Sequence, residues 1–166
     1  GVELPTGEDN KKDKLGSLPK PLQLGSGSFD FINGVVWTTQ ALSWELDIDV
    51  GYKLNTEADG FKFGDVLFSN ISYQKRLKPS VLPESGVPSF LYGVLELNSF
   101  YKRRNEVLGA KDPNSGGSIV YAAFGIQWVA TQWVVETSFQ LPVYQNSYGN
   151  SLNKKFSANI GVRYRF

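Results

Sequence analysis

The segment Asn153–Phe166, with the sequence NKKFSANIGVRYRF, contains the pattern that decides the fold. From Phe156 onward every second residue is apolar, namely Phe156, Ala158, Ile160, Val162, Tyr164 and Phe166. The intervening residues are small or polar, namely Ser157, Asn159, Gly161, Arg163 and Arg165. A period of two places alternate side chains on opposite faces of a β-strand. The segment therefore predicts a strand with one apolar and one polar face that ends on an aromatic residue.

The same alternation recurs in earlier parts of the chain. It is cleanest in Leu42–Asn55, where seven apolar residues alternate with seven small, polar or charged ones, which is not a helical pattern. The other predicted strands are Ser28–Thr39, Phe61–Leu77, Phe90–Arg103, Ser118–Val129 and Gln132–Tyr144. Gly1–Pro5 predicts the end of one more strand, followed by the polar loop Thr6–Gly27. We therefore expect seven whole strands and a stub, with two-residue turns at Gln40-Ala41 and Ala130-Thr131.

The composition excludes several classes of chemistry. The 166 residues suit one domain, and 17 Lys and Arg against 16 Asp and Glu leave a net charge of +1, which does not favour a nucleic-acid partner. The chain has no Cys, His or Met, so thiol, imidazole and thioether chemistry is absent and a Ser-His arrangement cannot form. We therefore predict no enzyme activity, no catalytic residues, no metal and no cofactor. The start at Gly1 leads directly into a polar loop and predicts a processed or truncated N-terminus.

Strand and loop lengths favour a membrane protein. No run of about 18 apolar residues exists, which excludes a transmembrane helix, but strands of this length can cross a bilayer when tilted. Strands of soluble proteins are nearer 5 or 6 residues. Short and long connections also alternate, as in barrels with short periplasmic turns and long extracellular loops. The sequence therefore predicts an all-β, transmembrane, antiparallel up-and-down β-barrel in the bacterial outer membrane, with Gln40-Ala41, Lys78–Ser89 and Ala130-Thr131 on the periplasmic side.

Aromatic residues of the apolar face are expected to anchor the barrel at one membrane interface. If the two tight hairpins pair about their turns, Trp37 lies opposite Trp44 and Trp128 lies opposite Trp133, all at one level. The predicted anchors are Trp37, Trp44, Tyr73, Trp128, Trp133, Tyr164 and Phe166.

The polar face carries the candidate functional residues. Those near the middle of their strands are Asp47, Asp49, Glu96, Asn98, Gln127, Glu136, Asn159 and Arg163. They either line a permeation path or form ion pairs and hydrogen bonds that fill the lumen. Glu136 is predicted to lie across from Gly161 and near Arg163, which favours a structural pair there.

Short motifs along the chain resemble one family. They are Glu3–Glu8, Leu24–Asp30, Val50–Glu57, Asp59-Gly60, Phe63–Asp65, Gln140–Asn146 and Gly161–Phe166. In this order and spacing they resemble the outer-membrane transporters associated with the meta-pathway of phenol degradation. The resemblance implies a Gram-negative barrel that passes small, hydrophobic or aromatic solutes and carries over no catalytic residue. The expected partners are membrane lipids and lipopolysaccharide, the barrel-assembly machinery through the C-terminal strand, and a small-molecule solute.

Members of that family have several strands before the one that ends at Leu4-Pro5 here. Either Gly1–Pro5 is a short eighth strand that closes a small barrel, or the chain is the C-terminal part of a larger barrel of about 12 strands.

Three functional hypotheses follow. The first is a channel for passive passage of solutes. The second is a plugged small barrel that acts as a structural or surface-interaction protein through its extracellular loops. The third is an outer-membrane enzyme of the acyl-hydrolase or protease kind, which the lack of any His disfavours because a Ser-His arrangement cannot form. A soluble ligand-binding barrel of lipocalin type is a further alternative, which requires the four tryptophans to be buried.

Overall fold

A computed structural model describes residues 1–150 and 153–166, so the last part of the predicted loop Gln145–Leu152 lies outside the described residues. Eight strands form one sheet, namely β1 Val2–Glu3, β2 Asp30–Ala41, β3 Trp44–Leu54, β4 Val66–Lys78, β5 Phe90–Lys102, β6 Gly117–Val129, β7 Trp133–Ser147 and β8 Ser157–Tyr164. The described helical structure is one 3₁₀ turn, Lys20–Leu22. Among the described residues no helix has the length and apolarity to cross a membrane.

The sheet is an antiparallel meander in which each strand pairs with the next one along the chain. This confirms the predicted all-β, antiparallel architecture. The sheet is not closed, however. The stub β1 pairs with β2 at Phe31 and Asp30, and Gly1 before it bonds to Ile32. This leaves Asn33–Ala41 of β2 as one edge of the sheet, and β8 is the other edge. Closure into a barrel of 8 or about 12 strands therefore stays a prediction.

The sequence predicted both tight turns at the wrong positions along the chain. The first lies at Leu42-Ser43, because Gln40 and Ala41 continue the ladder of β2 opposite Glu45 and Trp44. Leu42 continues the apolar alternation of β3 into the turn, where its side chain is exposed. The alternation alone therefore does not show where the strand begins.

The second turn lies at Thr131-Gln132, since the Ala130 N–H donates to the Trp133 carbonyl at 2.7 Å. The predicted tryptophan pairs are therefore wrong, and Trp37 faces Ile48 while Trp128 faces Val135.

The connections at the opposite end from these turns contain short hairpins that the sequence predicted as loops or as strand ends. Glu57–Ala58, Phe61–Lys62, Glu106–Val107 and Ala110–Lys111 form a small four-stranded sheet. Phe61–Lys62 was expected to open the strand Phe61–Leu77, but β4 begins at Val66. Along one row of the small sheet Glu57, Lys62, Glu106 and Lys111 alternate in charge. Opposite charges on neighbouring strands favour this pairing. We call this end of the main sheet the loop end and the other the turn end.

A bulge interrupts β7 near the loop end. Val120 of β6 pairs with Tyr144 and the next residue, Tyr121, pairs with Pro142, so Val143 is the extra residue. Proline has no N–H to donate to a ladder and is tolerated at bulges. The bulge turns Tyr144 to the same side as Val143, and β7 runs three residues past the predicted end, to Ser147.

Burial in the main sheet is inverted relative to a soluble protein. Side chains on the side of Trp44, Ile71 and Leu97, which we call the apolar face, are largely exposed. Side chains on the other side, the polar face, are mostly half-buried along the inner strands. Ala123 is the one apolar residue that is buried among the described residues, with 7% of its surface exposed. The remaining buried residues described are two glycines, Gly51 and Gly64, and six polar residues, namely Ser28, Asp30, Asn55, Asp65, Asn105 and Ser115.

Candidate functional site

The polar face is organised in cross-strand rows. The row nearest the loop end contains Lys53, Val66 and Lys102, and the next contains Gly51, Phe68 and Phe100. The following rows carry the acidic and amide side chains. The polar face therefore passes from a basic row through an aromatic row to acidic rows, going from the loop end towards the turn end.

The structure places four of the predicted lumen residues, Asp47, Asp49, Glu96 and Asn98, half-buried on adjacent rows in the middle of this face. Asp49 accepts two hydrogen bonds from Asn70 Nδ2, at 2.9 and 2.8 Å. Asn98 Nδ2 donates to Glu96 Oε2 at 3.3 Å, and Thr38 Oγ1 donates to Asp47 Oδ1 at 2.5 Å. Each of the three carboxylates thus has a neutral partner and, among the residues that the structure describes, forms no ion pair, so its negative charge is not cancelled by a contact within the face.

The other four predicted residues lie nearer β8. Glu136 lies opposite Gly161, and Arg163 Nη2 donates to Glu136 Oε2 at 3.1 Å, which confirms the predicted pair. Gln127 Nε2 donates to the same oxygen at 3.1 Å. Asn159 and Arg163 are exposed because β8 is an edge of the sheet. With the Arg163 side chain 66% exposed, this ion pair contributes little stability.

A cavity of about 430 Å³ lies against this part of the polar face. Its polar lining comes from β4 to β8, namely Ser72, Gln74, Glu96, Gln127, Glu136, Ser138 and Asn159. Ala123, Gly125 and Gly161 also line it, and their small size leaves the space open. Because five successive strands surround one cavity, the polar face is concave. Asp47, Asn98 and Arg163 lie outside this lining, as does Asp49.

A second cavity, of about 440 Å³, lies on the polar face at the loop end. Phe100, Ile119 and Tyr121 form its apolar wall, and Lys102 and Lys154 supply ammonium groups. The Phe100 and Tyr121 rings meet edge to face, with centroids 6.5 Å apart. Sequence patterning did not single out Lys154, because it precedes β8 and its position depends on a backbone hydrogen bond to Gln145 Oε1, at 3.2 Å.

Beyond the ends of the strands, buried polar groups join the loops to one another. Asp65, with 3% of its surface exposed, accepts from Tyr52 Oη at 2.9 Å and from the Asn55 N–H at 3.1 Å. Lys62 and Arg103 lie 3.7 and 3.4 Å from its carboxylate. Burial raises the pKa of Asp65, but these donors and cations outweigh it and hold the pKa below its ordinary value.

A similar network surrounds Asp30, which accepts from Ser28 Oγ and the Thr56 N–H, both at 2.9 Å. Lys53 Nζ lies 3.3 Å from Asp30 and 2.5 Å from Glu3. Sequence patterning missed both networks. Their only signal was an Asp beside glycine or aromatic residues, which is also ordinary turn chemistry.

The predicted aromatic anchors all lie on the apolar face or at its end, but not at one level. The Trp133 and Tyr164 rings are tilted against each other with centroids 4.5 Å apart. The centroids of Tyr164 and Phe166 are 6.4 Å apart, as are those of Trp44 and Tyr73. Trp37 is level with Ile48, four residues from Trp44, which is about 13 Å along the strand. By the same rise Trp128, level with Val135, is about 7 Å from Trp133. The anchors therefore form a band of some depth, with its densest part at the turn end.

The described residues contain no group of three or more Asp and Glu side chains placed to hold a metal ion. The chemistry available on the polar face is hydrogen bonding and charge pairing with a solute. Comparisons of the chain with protein families, with curated proteins and with solved structures found no match.

Proposed function

We propose that the chain is an outer-membrane β-barrel that allows passive passage of small solutes along its polar face, hydrophobic or aromatic solutes among them. The observation that carries this proposal is the inverted burial, because Ala123 alone is a buried apolar residue among those described, while the apolar face is exposed. An exposed apolar surface of this size requires a cover, and lipid is the cover that suits strands of 11 to 15 residues.

In this proposal the barrel closes between the β1 side of the sheet and the opposite edge strand β8, so that the polar face lines the lumen. The aromatic band marks the lipid interface near the periplasm, with lipids, lipopolysaccharide and the barrel-assembly machinery as partners. The family resemblance to transporters associated with phenol degradation agrees with this function and stays a prediction.

The first experiment places an arginine on each face in turn. Leu97→Arg puts a charge in the middle of the apolar face and is expected to cost about 2 to 4 kcal/mol of folding free energy in lipid. Gln127→Arg adds the same side chain to the polar face and is the matched control. Folding into liposomes is measured by heat-dependent mobility in gels. Equal folding of both variants, or a purified protein that stays in solution without detergent, would overturn the membrane assignment.

A second candidate is supported by the buried polar networks of Asp30 and Asp65, which hold the loop end in a defined shape. A small plugged barrel could present these loops as a structural or surface-interaction platform. Single-channel conductance and liposome swelling separate the two functions. Conductance from folded protein supports the channel, and folded protein without conductance supports the platform.

A further inference from the structure

The cavity formed by Lys102, Lys154, Phe100, Ile119 and Tyr121 contains two ammonium groups that form no ion pair with any described carboxylate. Among the described residues neither side chain has a carboxylate within 4.0 Å, although five other basic side chains form ion pairs. Lys102 is half-buried at the end of β5, with its Nζ 5.2 Å from the centroid of the Phe63 ring. A cation that is partly removed from water and left unpaired costs free energy. We therefore expect the ammonium groups to pair with an anion that comes from outside the chain.

Neighbouring residues do not neutralise the cavity. Lys53 stands in the same cross-strand row as Lys102, with Val66 between them, but Glu3 and Asp30 already bind its ammonium group. The carboxylates of Asp49 and Glu96 lie on later rows towards the turn end. Lys102 and Lys154 are thus the charged residues that line this cavity, and together with Lys53, Glu3 and Asp30 they leave one net positive charge at this end of the polar face.

Apart from the two lysines and the polar residues Ser118, Gln145 and Ser147, the lining of the cavity is apolar or glycine. Lys154 Nζ lies 5.8 Å from the centroid of the Tyr121 ring, so the second ammonium group sits at the edge of the aromatic wall. A volume of about 440 Å³ is within the range of sites that hold small molecules. Polar groups at one rim and aromatic groups along the wall match a ligand with one anionic end and one apolar body.

We propose that this cavity binds a small organic carboxylate, with the carboxylate between Lys102 and Lys154 and the apolar body against Phe100 and Tyr121. The inference rests on the proposed function, because it makes the cavity an entry site at the loop end of the lumen. Inorganic anions lack the apolar body, and neutral aromatic compounds lack the charge, so both bind more weakly.

The test measures binding by isothermal titration to the full chain folded in detergent micelles, with benzoate as the probe. Acetate lacks the ring and benzamide lacks the charge. Benzoate is expected to bind at least about tenfold more tightly than either, because the loss of a charge-assisted contact or of a buried ring is worth about that factor. Equal binding of benzamide, or no saturable binding of benzoate, overturns the proposal.

Variants assign the effect to the cavity. Lys102→Gln and Lys154→Gln are each expected to weaken benzoate binding about tenfold, and Lys102→Arg is expected to retain it. Lys111→Gln removes an exposed lysine at the same end and is the control, with unchanged affinity expected. Lys102→Gln should unfold at the same or a higher urea concentration than the wild type, since it removes an unpaired charge. Unchanged binding in Lys102→Gln, or equal weakening in Lys111→Gln, refutes the assignment.

The binding and channel proposals fail separately. If the protein binds benzoate in micelles but shows no conductance in bilayers, the proposed binding site is supported and the proposed channel function is refuted. If the protein conducts but binds benzoate and benzamide with equal affinity, the channel function is supported and the proposed binding site is refuted.

Discussion

Replacing Asp65 by Asn tests how much the buried carboxylate contributes to the loop end. Asn has nearly the same shape, so the substitution removes the charge and leaves no cavity. The carboxylate accepts hydrogen bonds from Tyr52 Oη and the Asn55 N–H, and it lies near two cations, Lys62 and Arg103.

The expected loss follows from these contacts. Each hydrogen bond to the charged carboxylate exceeds its neutral counterpart by about 1 kcal/mol. Lys62 and Arg103 add about 0.5 kcal/mol together, because both reach solvent and such pairs contribute little. We therefore expect Asp65→Asn to lower the free energy of unfolding by about 2 to 3 kcal/mol at pH 7.

The same residue predicts a dependence on pH. Because the pKa of Asp65 is lower in the folded chain than its ordinary value, its contribution is fully present above about pH 4 and is lost as the pH falls through the folded pKa. The difference between wild type and Asp65→Asn should therefore shrink between pH 7 and strongly acidic solution. Urea unfolding in micelles, followed by tryptophan fluorescence, measures both effects.

The matched control is Glu84→Gln, which removes one exposed carboxylate in the connection between β4 and β5. Its unfolding free energy is expected to stay within about 0.5 kcal/mol of the wild type. A loss in Asp65→Asn no larger than in this control, or a difference that does not change with pH, would refute the role assigned to the carboxylate.

Two further predictions concern a close backbone approach and the edge strand. Gly64→Ala places a Cβ 1.9 Å from the Arg103 carbonyl oxygen and should cost several kcal/mol, whereas Gly93→Ala meets only a flexible side chain at 3.3 Å and should cost less than about 1 kcal/mol in the same urea assay. Glu136→Gln breaks the exposed ion pair with Arg163 and should change stability by less than about 1 kcal/mol, while the reversal potential in a KCl gradient shifts towards anion selectivity; an unchanged reversal potential would place Glu136 outside the conducting path.

The approximate positions of the strands, and the side of the sheet on which each side chain lies, were predictable from the sequence because the alternation of apolar and polar residues is a local property. Every strand from β2 to β8 overlaps a predicted strand, and the predicted lumen residues share one face. A register error of two or four residues keeps the parity of a strand, so Trp37 and Trp128 kept their face although their partners were wrong.

The exact turns, the loop hairpins and the basic cavity were not predictable, because each depends on tertiary contacts. Leu42 is an apolar residue that continues the alternation of β3, yet it lies in a turn. The buried carboxylate of Asp65 is contacted by Arg103, which lies 38 positions later in the chain. The Lys154 side chain lies beside Tyr121, and the Lys154 backbone N–H donates to Gln145, which lies on β7.

The antiparallel order also limits how such a sheet can change in size. Since every neighbouring pair is antiparallel, β2 and β8 run in the same direction, and a cylinder without parallel pairs needs an odd number of strand positions between them. The strand β1 begins one of these positions. If the sheet closes into such a cylinder, its circumference can grow only by whole hairpins, each adding two strand spacings, about 10 Å. Gain or loss of a single strand would place two parallel neighbours side by side, so gene-level changes that preserve the fold must insert or remove strands in pairs.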